Sequence, residues 1–299
     1  MFLNEPGELL PLQDQPCTVV DSDGIIVLWY LPEAITSARN VLFTFDLMKA
    51  LLTSAFIQDC MVIEMNQLHH DFRRSLPPAG MPSKRRETGY KPAETTTTSP
   101  GHIPFSPCWF NIAHQLTVSR SLRGWPHGST VQYLREAQES LALISAVLGV
   151  IHPRLAMQGL SILRGIQTGA IQNVATDSLG PVRRLWPCPF TAFSIISNRE
   201  TDLHRDGKGF TPYYDIITTL GHYSDGRFEV PGIGLRFQYN PGTIVGICGK
   251  ALAHGVAEVD GIRYCLVQYF HRSVLSLFSG YTLEEEPFHW MRQDDLLRN

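Results

Sequence analysis

The chain has 299 residues, of which 43% are hydrophobic and 18% are charged, and its formal net charge is −3. This composition predicts a large buried core and excludes a globally disordered chain, and no apolar run approaches the roughly 18 residues that a membrane-spanning helix needs. The slightly acidic total excludes a wholly basic nucleic-acid binder, so any contact with nucleic acid must depend on local patches.

The first hundred residues alternate between short regular elements and irregular chain. The acidic, proline-containing N-terminus lacks the basic flank and apolar stretch of a signal peptide. Ile25–Leu31 predicts a buried strand, and Pro32-Glu33 opens a helical stretch, with a second helical run to about Phe56. Residues 76–107 contain seven prolines. Such a long irregular segment in a compact domain is either disordered or functional.

Two helices are predicted between residues 129 and 163. Ser129-Thr130 predicts the N-terminal cap of the first helix, and Gly149 predicts its end. One face of this helix is apolar and carries Val131, Leu134, Leu141, Ile144 and Leu148. The second helix spans about 153–163, and both are interpreted as packing elements.

From Val182 onward the helical period gives way to short runs rich in β-branched and aromatic residues, separated by glycine-containing turns. The predicted strands are Phe190–Ser197, Tyr213–Leu220, Arg227–Val230, Gly234–Tyr239, Thr243–Cys248, Ala253–Val259 and Ile262–Phe270. Helices before strands predict an α+β chain that ends in a β-sandwich or jelly roll.

We expect a single domain over residues 1–299. Its predicted parts are a helical region at about 25–170, a strand core at about 182–275 and an acidic tail at 282–299. None of the six cysteines lies within four residues of another, so a zinc-ribbon or dithiol spacing is absent. Without an export signal, we expect an intracellular protein with reduced thiols.

One constellation in the strand region indicates chemistry. His204 and Asp206 flank Arg205 shortly after a predicted strand, and His254 and Arg263 follow on later strands. Two histidines and a carboxylate form the facial triad of non-haem Fe(II) oxygenases, which leaves three coordination positions open. A 2-oxoglutarate co-substrate would fill two of these positions, and its far carboxylate would need a cation such as a bidentate arginine. A His-x-Asp pair also arises by chance, and His254 alone is compatible with a buried core histidine.

The residues of this region resemble the 2-oxoglutarate- and iron-dependent dioxygenases of the double-stranded β-helix fold. Within them, the chain is most similar to the ten-eleven-translocation/base-J-binding-protein (TET/JBP) family, in the compact form found in fungi. The resemblance is carried by SNRETDLHRD (197–206), LGHYSDGRFEVPGIGLRF (220–237), YNPGTIVGICG (239–249) and LAHGV through GIRY (252–264). It covers about the last hundred residues firmly and the N-terminal half only loosely.

The resemblance implies Fe(II) ligands at His204, Asp206 and His254, and a pairing of Arg263 with the C5 carboxylate of 2-oxoglutarate. Arg199 and His222 are candidates for the other end of the co-substrate, with an edge-strand polar residue as the alternative for His222. His271 matches in position a histidine that contacts the flipped base in relatives, or it is a strand-terminal residue. Relatives often place a serine two residues after the arginine, where this chain has Cys265.

The implied reaction uses Fe(II), 2-oxoglutarate and O2 to hydroxylate a methyl group. On 5-methylcytosine it would give hydroxymethylcytosine and further oxidised bases, and on N6-methyladenine it would release formaldehyde. The sequence leaves both substrates open. The alternatives are a 2-oxoglutarate-dependent hydroxylase of a protein or small molecule, and a metal-free binding module.

A methylated base inside duplex DNA must flip out to reach a buried iron, which requires contacts with the DNA backbone. Residues 61–130 carry eight basic and four acidic residues, so this stretch has a local charge of +4. Lys84, Arg85 and Arg86 are predicted phosphate contacts, and Arg123 with Trp125 predicts a stacking or minor-groove element. The alternatives are a solvated basic loop and a core tryptophan. We therefore expect a monomeric nuclear enzyme that acts on double-stranded DNA and has no membrane partner.

Overall fold

The architecture is built from two β-sheets that face each other. The computed structural model describes residues 11–35, 101–109, 116–122, 133–135, 137–168, 180–207, 209, 211 and 213–275. The strands of this part of the chain are β1 (Leu12–Gln13), β2 (Cys17–Val20), β3 (Ile26–Leu31), β4 (Gly101–Phe105), β5 (Ala192–Ser197), β6 (Thr201–His204), β7 (Asp215–Ser224), β8 (Arg227–Val230), β9 (Leu235–Gln238), β10 (Ile244–Ile247), β11 (His254–Val256) and β12 (Asp260–Tyr269). Its α-helices are α1 (Gln138–Ile151), α2 (Pro153–Thr168), α3 (Gly180–Leu185) and α4 (Arg272–Leu275).

The strands form one sheet of seven and one of five. The larger sheet has the order β2-β3-β10-β7-β12-β5-β4, and the smaller has the order β1-β9-β8-β11-β6. Among these strands, all neighbouring pairs are antiparallel except β1 with β9. Consecutive strands after β5 alternate between the sheets in part, which is the double-stranded β-helix arrangement, and the predicted fold class is confirmed.

Two hydrophobic clusters hold the layers together. One lies between the sheets and contains Tyr30, Ile217, Phe228 and Val245, among others. The other lies between the larger sheet and the helices and includes Ile216 with the buried faces of α1 and α2. Because successive strand residues point to opposite faces, Ile216 and Ile217 on β7 serve different clusters. This double burial explains why the central strands are continuously apolar.

Most predicted strands of the C-terminal half are confirmed with boundaries shifted by a few residues. Two assignments were wrong. Residues 101–105, predicted to be irregular, form β4, which tolerates Pro104 because it is the edge strand of the larger sheet. His204 does not follow the strand that ends near Asn198 but ends a separate strand, β6, after a turn in which Asn198 has a positive φ of 49°.

The helical predictions also needed correction. The first helix continues past Gly149 to Ile151, and the second extends to Thr168. Residues 180–185 are helical although the helical period was predicted to be lost by Val182. The predicted helical region at about 25–170 contains strand β4 in addition to β3, which matches the strand predicted at 25–31. The predicted run to Phe56, most of the 76–107 segment, the Ser129-Thr130 cap and the tail at 282–299 lie outside the described residues.

The described part of the chain contains no helix that is long and apolar enough to cross a membrane. Five of the six cysteines lie in this part, and all five are free thiols, four of them buried. Burial raises the pKa of Cys188 to about 12. Cys188 is therefore a protonated packing group at neutral pH.

Helix α2 packs closely at Gly159 against the segments that precede β5 and follow β12. A methyl group added there would stand 2.9 Å from Pro189 Cβ and 3.0 Å from Phe270 Cζ. Gly149 on α1 is exposed, and a methyl group there would meet nothing within 4 Å. Both positions are helical, so both gain helix propensity when glycine becomes alanine, and only Gly159 suffers overpacking.

We expect Gly159→Ala to have a free energy of unfolding about 1–3 kcal/mol below that of Gly149→Ala, because overpacking costs that amount. Urea titrations of both variants, followed by circular dichroism, measure the difference. Equal midpoints for the two variants would show that α2 does not pack against Pro189 and Phe270 at Gly159.

Candidate metal centre and its cavity

A cavity of about 320 Å³ opens between the two sheets. This volume is in the range of small-molecule sites. Its walls come from both sheets and from the turns after β6, and they include His102, Ser194, Ile196, Arg199, Thr201, His204, Asp206, Asp215, Ile217, Phe228, His254, Arg263, Cys265, Val267 and Tyr269. The predicted histidines and carboxylate of the triad therefore share one cavity with the predicted arginine.

Three side chains meet on the wall formed by the smaller sheet. His204 ends β6, His254 begins β11, and the two residues are directly paired across the antiparallel strands. Asp206 follows β6, and its backbone N–H donates to the Gly249 carbonyl at 2.9 Å. His204 Nε2 lies 3.5 Å from Asp206 Oδ1, and His254 Nε2 lies 3.8 Å from Asp206 Oδ2. The candidate ligand atoms all lie within 4.8 Å of one another.

The tautomers of both histidines suit a metal. His204 Nδ1 donates to the Asp202 carbonyl at 2.9 Å, and His254 Nδ1 donates to the Leu252 carbonyl at 3.0 Å. Because a carbonyl only accepts, the proton of each neutral ring lies on Nδ1, and both Nε2 lone pairs face Asp206. Metal-binding histidines are commonly oriented in this way by a backbone carbonyl. The donor set therefore fits Fe(II), and it is the set that non-haem iron oxygenases use.

The charges of the cluster also favour metal binding. Burial raises the pKa of the Asp206 carboxyl, but hydrogen bonding to His204 and the charges of both histidines outweigh burial and lower it. Burial lowers the pKa of His254, which is 5% exposed, so this ring is neutral. When His204 is protonated, its Nε2–H donates to Asp206, and this hydrogen bond raises the pKa of His204, so a metal would displace a proton mainly from this ring.

Gly249 leaves room for the Asp206 carboxylate. A Cβ atom at Gly249 would overlap Asp206 Oδ2 and would stand 3.1 Å from Asp215 Oδ2. Gly207, in the turn directly after Asp206, is exposed, and a methyl group added there would meet nothing within 4 Å. Glycine is therefore required at position 249 and not at position 207.

We expect Gly249→Ala to weaken Mn(II) binding about 10- to 100-fold, the range found when groups that orient metal ligands are disturbed. Gly207→Ala is the matched control and should bind Mn(II) as the wild type does. Electron paramagnetic resonance titration of free Mn(II) measures both affinities. Unchanged binding by Gly249→Ala would contradict the proposed position of Asp206 in the centre.

Arg263 supplies a buried cation on the opposite wall. It is 3% exposed, its backbone N–H donates to Asn198 Oδ1 at 3.0 Å, and its guanidinium donates to the Arg199 carbonyl. The left-handed turn at Asn198 thus fixes both β6 and the start of β12. A buried guanidinium that lines a cavity is suited to bidentate pairing with a carboxylate.

The other predicted site residues are distributed unevenly. Arg199 and Cys265 line the cavity beside Arg263. His222 does not line the cavity: it lies on β7, directly opposite Ile262, and is exposed. The residues of β7 that line the cavity are Asp215 and Ile217, so strand alternation directs His222 to the other face. Its assignment to the co-substrate was therefore wrong, and because β7 lies between β10 and β12 the edge-strand alternative does not apply either.

His271 lies just beyond β12 and is not among the residues that line the cavity. Its backbone N–H donates to Thr191 Oγ1 at 2.8 Å, and its ring centroid lies 5.8 Å from that of Trp109. A contact between His271 and substrate stays a prediction. Lys84, Arg85, Arg86, Arg123 and Trp125 lie outside the described residues, so their predicted DNA contacts also stay predictions.

Several residues of the cavity were not predicted from the sequence. Asp215, a buried acid, and the polar side chains of His102, Ser194 and Tyr269 all line the cavity. Strand alternation from Arg263 would have found Tyr269, because every second residue of β12 from 263 to 269 faces the cavity. No comparable signal identified His102, since its strand was predicted to be irregular.

A family model described as the oxygenase domain of the 2OGFeDO superfamily, Tet_JBP, matches residues 119–272, just over half of the chain. No curated protein sequence matches significantly. Among solved structures, NgTET1 in complex with 5mC DNA matches over 98% of this chain and 90% of that chain, with 16% identity and a TM-score of 0.50. This likeness concerns the fold.

Two further structures match over smaller shares. The viral collagen prolyl hydroxylase of Paramecium Bursaria Chlorella virus-1, in its 2OG complex, covers 27% of this chain and 57% of its own, with 13% identity and a TM-score of 0.23. An oxidoreductase of the 2OG-Fe(II) oxygenase family from Burkholderia pseudomallei covers 34% and 61%, with 21% identity and a TM-score of 0.25.

Proposed function

The chain belongs to the Tet_JBP family of 2-oxoglutarate- and Fe(II)-dependent oxygenases, and from this premise we propose that it oxidises methyl groups on DNA bases. Enzymes of this superfamily use Fe(II), 2-oxoglutarate and O2. The substrates we propose are 5-methylcytosine, oxidised to hydroxymethylcytosine and beyond, and N6-methyladenine, which would be demethylated. The enzyme would act as a monomeric, single-domain nuclear protein on double-stranded DNA.

The observation that carries the proposal is the union of the metal cluster and a buried arginine in one cavity. We assign His204, Asp206 and His254 as the Fe(II) ligands, since their Nε2 and carboxylate atoms converge and both Nδ1 atoms are held by carbonyls. We assign Arg263 to the C5 carboxylate of 2-oxoglutarate, with Arg199 beside it. Iron bound there would supply the oxidative decarboxylation of 2-oxoglutarate and the hydroxylation of the methyl group.

The chain's own residues would bind and orient the reactants. The carbonyls of Asp202 and Leu252 fix the ring orientation of the two histidines, and the Asn198 turn fixes Arg263. Phe228 stacks on the His254 ring, with centroids 5.6 Å apart and an interplanar angle of 21°. This apolar cover on the His254 side limits water near the centre and so protects it from unproductive oxidation.

Duplex DNA is the proposed partner for two reasons. The chain matches the Tet_JBP family model, and its fold is similar to that of NgTET1, which was solved in complex with 5mC DNA. A base must leave the duplex to enter a cavity of this size. Lys84, Arg85, Arg86, Arg123 and Trp125 are the proposed backbone and stacking contacts, and His271 is a proposed base contact beyond the end of β12.

To test the proposal, the protein is first loaded with Fe(II) under anaerobic conditions. It is then incubated in air with 2-oxoglutarate and with duplexes that carry 5-methylcytosine, N6-methyladenine or no methyl group. Nucleoside mass spectrometry measures base oxidation, and succinate is measured in parallel. The proposal predicts oxidised base and stoichiometric succinate with a methylated duplex. Succinate without oxidised base would overturn the DNA substrate in favour of a protein or small-molecule substrate, and no succinate would overturn the oxygenase site.

A further inference from the structure

A row of three hydrogen-bonding side chains crosses the larger-sheet wall of the cavity. His102 Nε2 lies 3.0 Å from Ser194 Oγ, and Ser194 Oγ lies 3.4 Å from the Tyr269 hydroxyl. These residues belong to three adjacent strands, β4, β5 and β12, and all three line the cavity. They are separate from the three candidate metal ligands. We call them the polar row.

The Tyr269 end of the polar row lies away from the co-substrate arginine and towards the metal centre. Six residues separate Arg263 from Tyr269 along β12, which corresponds to about 20 Å in a strand. A five-carbon diacid held by Arg263 is much shorter than that distance. On β7, Asp215 lies opposite Tyr269 in the strand register, and Asp215 and Asp206 both border Gly249. This end of the cavity therefore lies beside the metal cluster, which the methyl-bearing substrate must approach.

The surroundings of the polar row are apolar. Ile196, Ile217 and Val267 line the same wall, on strands β5, β7 and β12. A cavity of mostly apolar lining fixes the orientation of its ligand through the few polar groups that it contains. Ser194 is 4% exposed, so a hydrogen bond at this depth is not replaced by water.

The Tyr269 hydroxyl is a neutral group. Burial raises its pKa, the hydrogen bond with Ser194 opposes this effect, and the charges of Asp215 and Asp206 raise the pKa further. A neutral hydroxyl has one proton to donate and lone pairs to accept with. When the Tyr269 proton is given to Ser194 Oγ, and the Ser194 proton to His102 Nε2, the Tyr269 oxygen presents only lone pairs to the cavity.

We propose that Ser194 and His102 are positioning residues that hold the Tyr269 oxygen as a hydrogen-bond acceptor for the exocyclic N–H of the substrate base. This inference rests on the proposed function and extends it to substrate selection. 5-Methylcytosine carries an exocyclic N–H next to the methylated carbon, and N6-methyladenine carries one on the methylated nitrogen itself. Thymine carries the same C5 methyl group but has a carbonyl at C4, which an acceptor repels.

The test compares kcat/KM for 5-methylcytosine and for the thymine methyl group in otherwise identical DNA. Ser194→Ala frees the Tyr269 hydroxyl to rotate, and we expect the preference for 5-methylcytosine over thymine to fall about 5- to 30-fold, as for one lost buried hydrogen bond. Tyr269→Phe should remove the same preference, and His102→Phe should reduce it. Ser194→Thr retains a hydroxyl and should restore it.

Two controls separate positioning from general damage. Ile217→Val alters the same wall on β7, where its register partner on β12 is Val267 and not a member of the polar row, and should leave the preference unchanged. The KM for 2-oxoglutarate and the Mn(II) affinity of Ser194→Ala should equal those of the wild type. If the wild type oxidises 5-methylcytosine, and if Ser194→Ala and Tyr269→Phe both keep its preference for 5-methylcytosine over thymine, this inference alone is overturned. A wild type that oxidises no base would overturn the proposed function and this inference together.

Discussion

Replacing His204 by alanine is expected to abolish 2-oxoglutarate turnover while the protein stays folded. The imidazole supplies one of three candidate ligand atoms that lie within 4.8 Å of one another, and its loss leaves an incomplete metal site. We expect the Mn(II) affinity to fall by more than about 100-fold, since disturbing only the orientation of a ligand already costs about 10- to 100-fold. Succinate release and Mn(II) titration measure the two effects.

The fold should survive because the His204 side chain is 42% exposed and because His204 is the last residue of β6, an edge strand of the smaller sheet. His222→Ala is the matched control, since it removes an exposed histidine from β7 that does not line the cavity. This variant should keep wild-type turnover and metal affinity. Retained turnover in His204→Ala, with circular dichroism like that of the wild type, would contradict the assignment of the metal centre.

The second large effect is expected at Arg263. Arg263→Lys keeps a positive charge but loses the planar pair of donors that matches a carboxylate. Because the side chain is buried, the lost hydrogen bond is not replaced by water. We expect the Kd for 2-oxoglutarate to rise about 30-fold or more, in line with the cost of disturbing a buried charged pair.

Calorimetric titration of 2-oxoglutarate into the Mn(II)-loaded protein measures this Kd. Arg227→Lys is the control, because Arg227 pairs with Asp225 on the surface at 2.7 Å and surface pairs contribute little. If the Kd of Arg263→Lys for 2-oxoglutarate is close to the wild-type value, the co-substrate carboxylate is bound elsewhere.

The strand core was predictable because its turns are marked by glycine and its strands by β-branched residues. The triad was predictable because His204 and Asp206 flank a single residue and His254 follows on a later predicted strand. The structure pairs His204 directly with His254 across β6 and β11. Edge features were less predictable. Pro104 argues against a strand from sequence alone, and only the sheet order shows that β4 occupies an edge where proline is tolerated.

The remaining site features depend on register, which the sequence does not carry. His222 was assigned to the co-substrate from its position in the chain, yet strand alternation turns it away from the cavity. Ser194 and Tyr269 meet because β5 and β12 are neighbours. The need for Gly249 follows from its contact with Asp206, a residue distant in the sequence.

One iron ion is expected to bind His204, Asp206 and His254 in the cavity that Arg263 also lines. The most direct measurement is anomalous diffraction at the iron absorption edge, from crystals grown anaerobically with Fe(II) and 2-oxoglutarate. We expect a single strong peak about 2.2 Å from Nε2 of each histidine and from an Asp206 carboxylate oxygen, with the co-substrate carboxylate against Arg263. A peak at other residues, or an ordered triad with no peak in iron-loaded crystals, would contradict this metal centre.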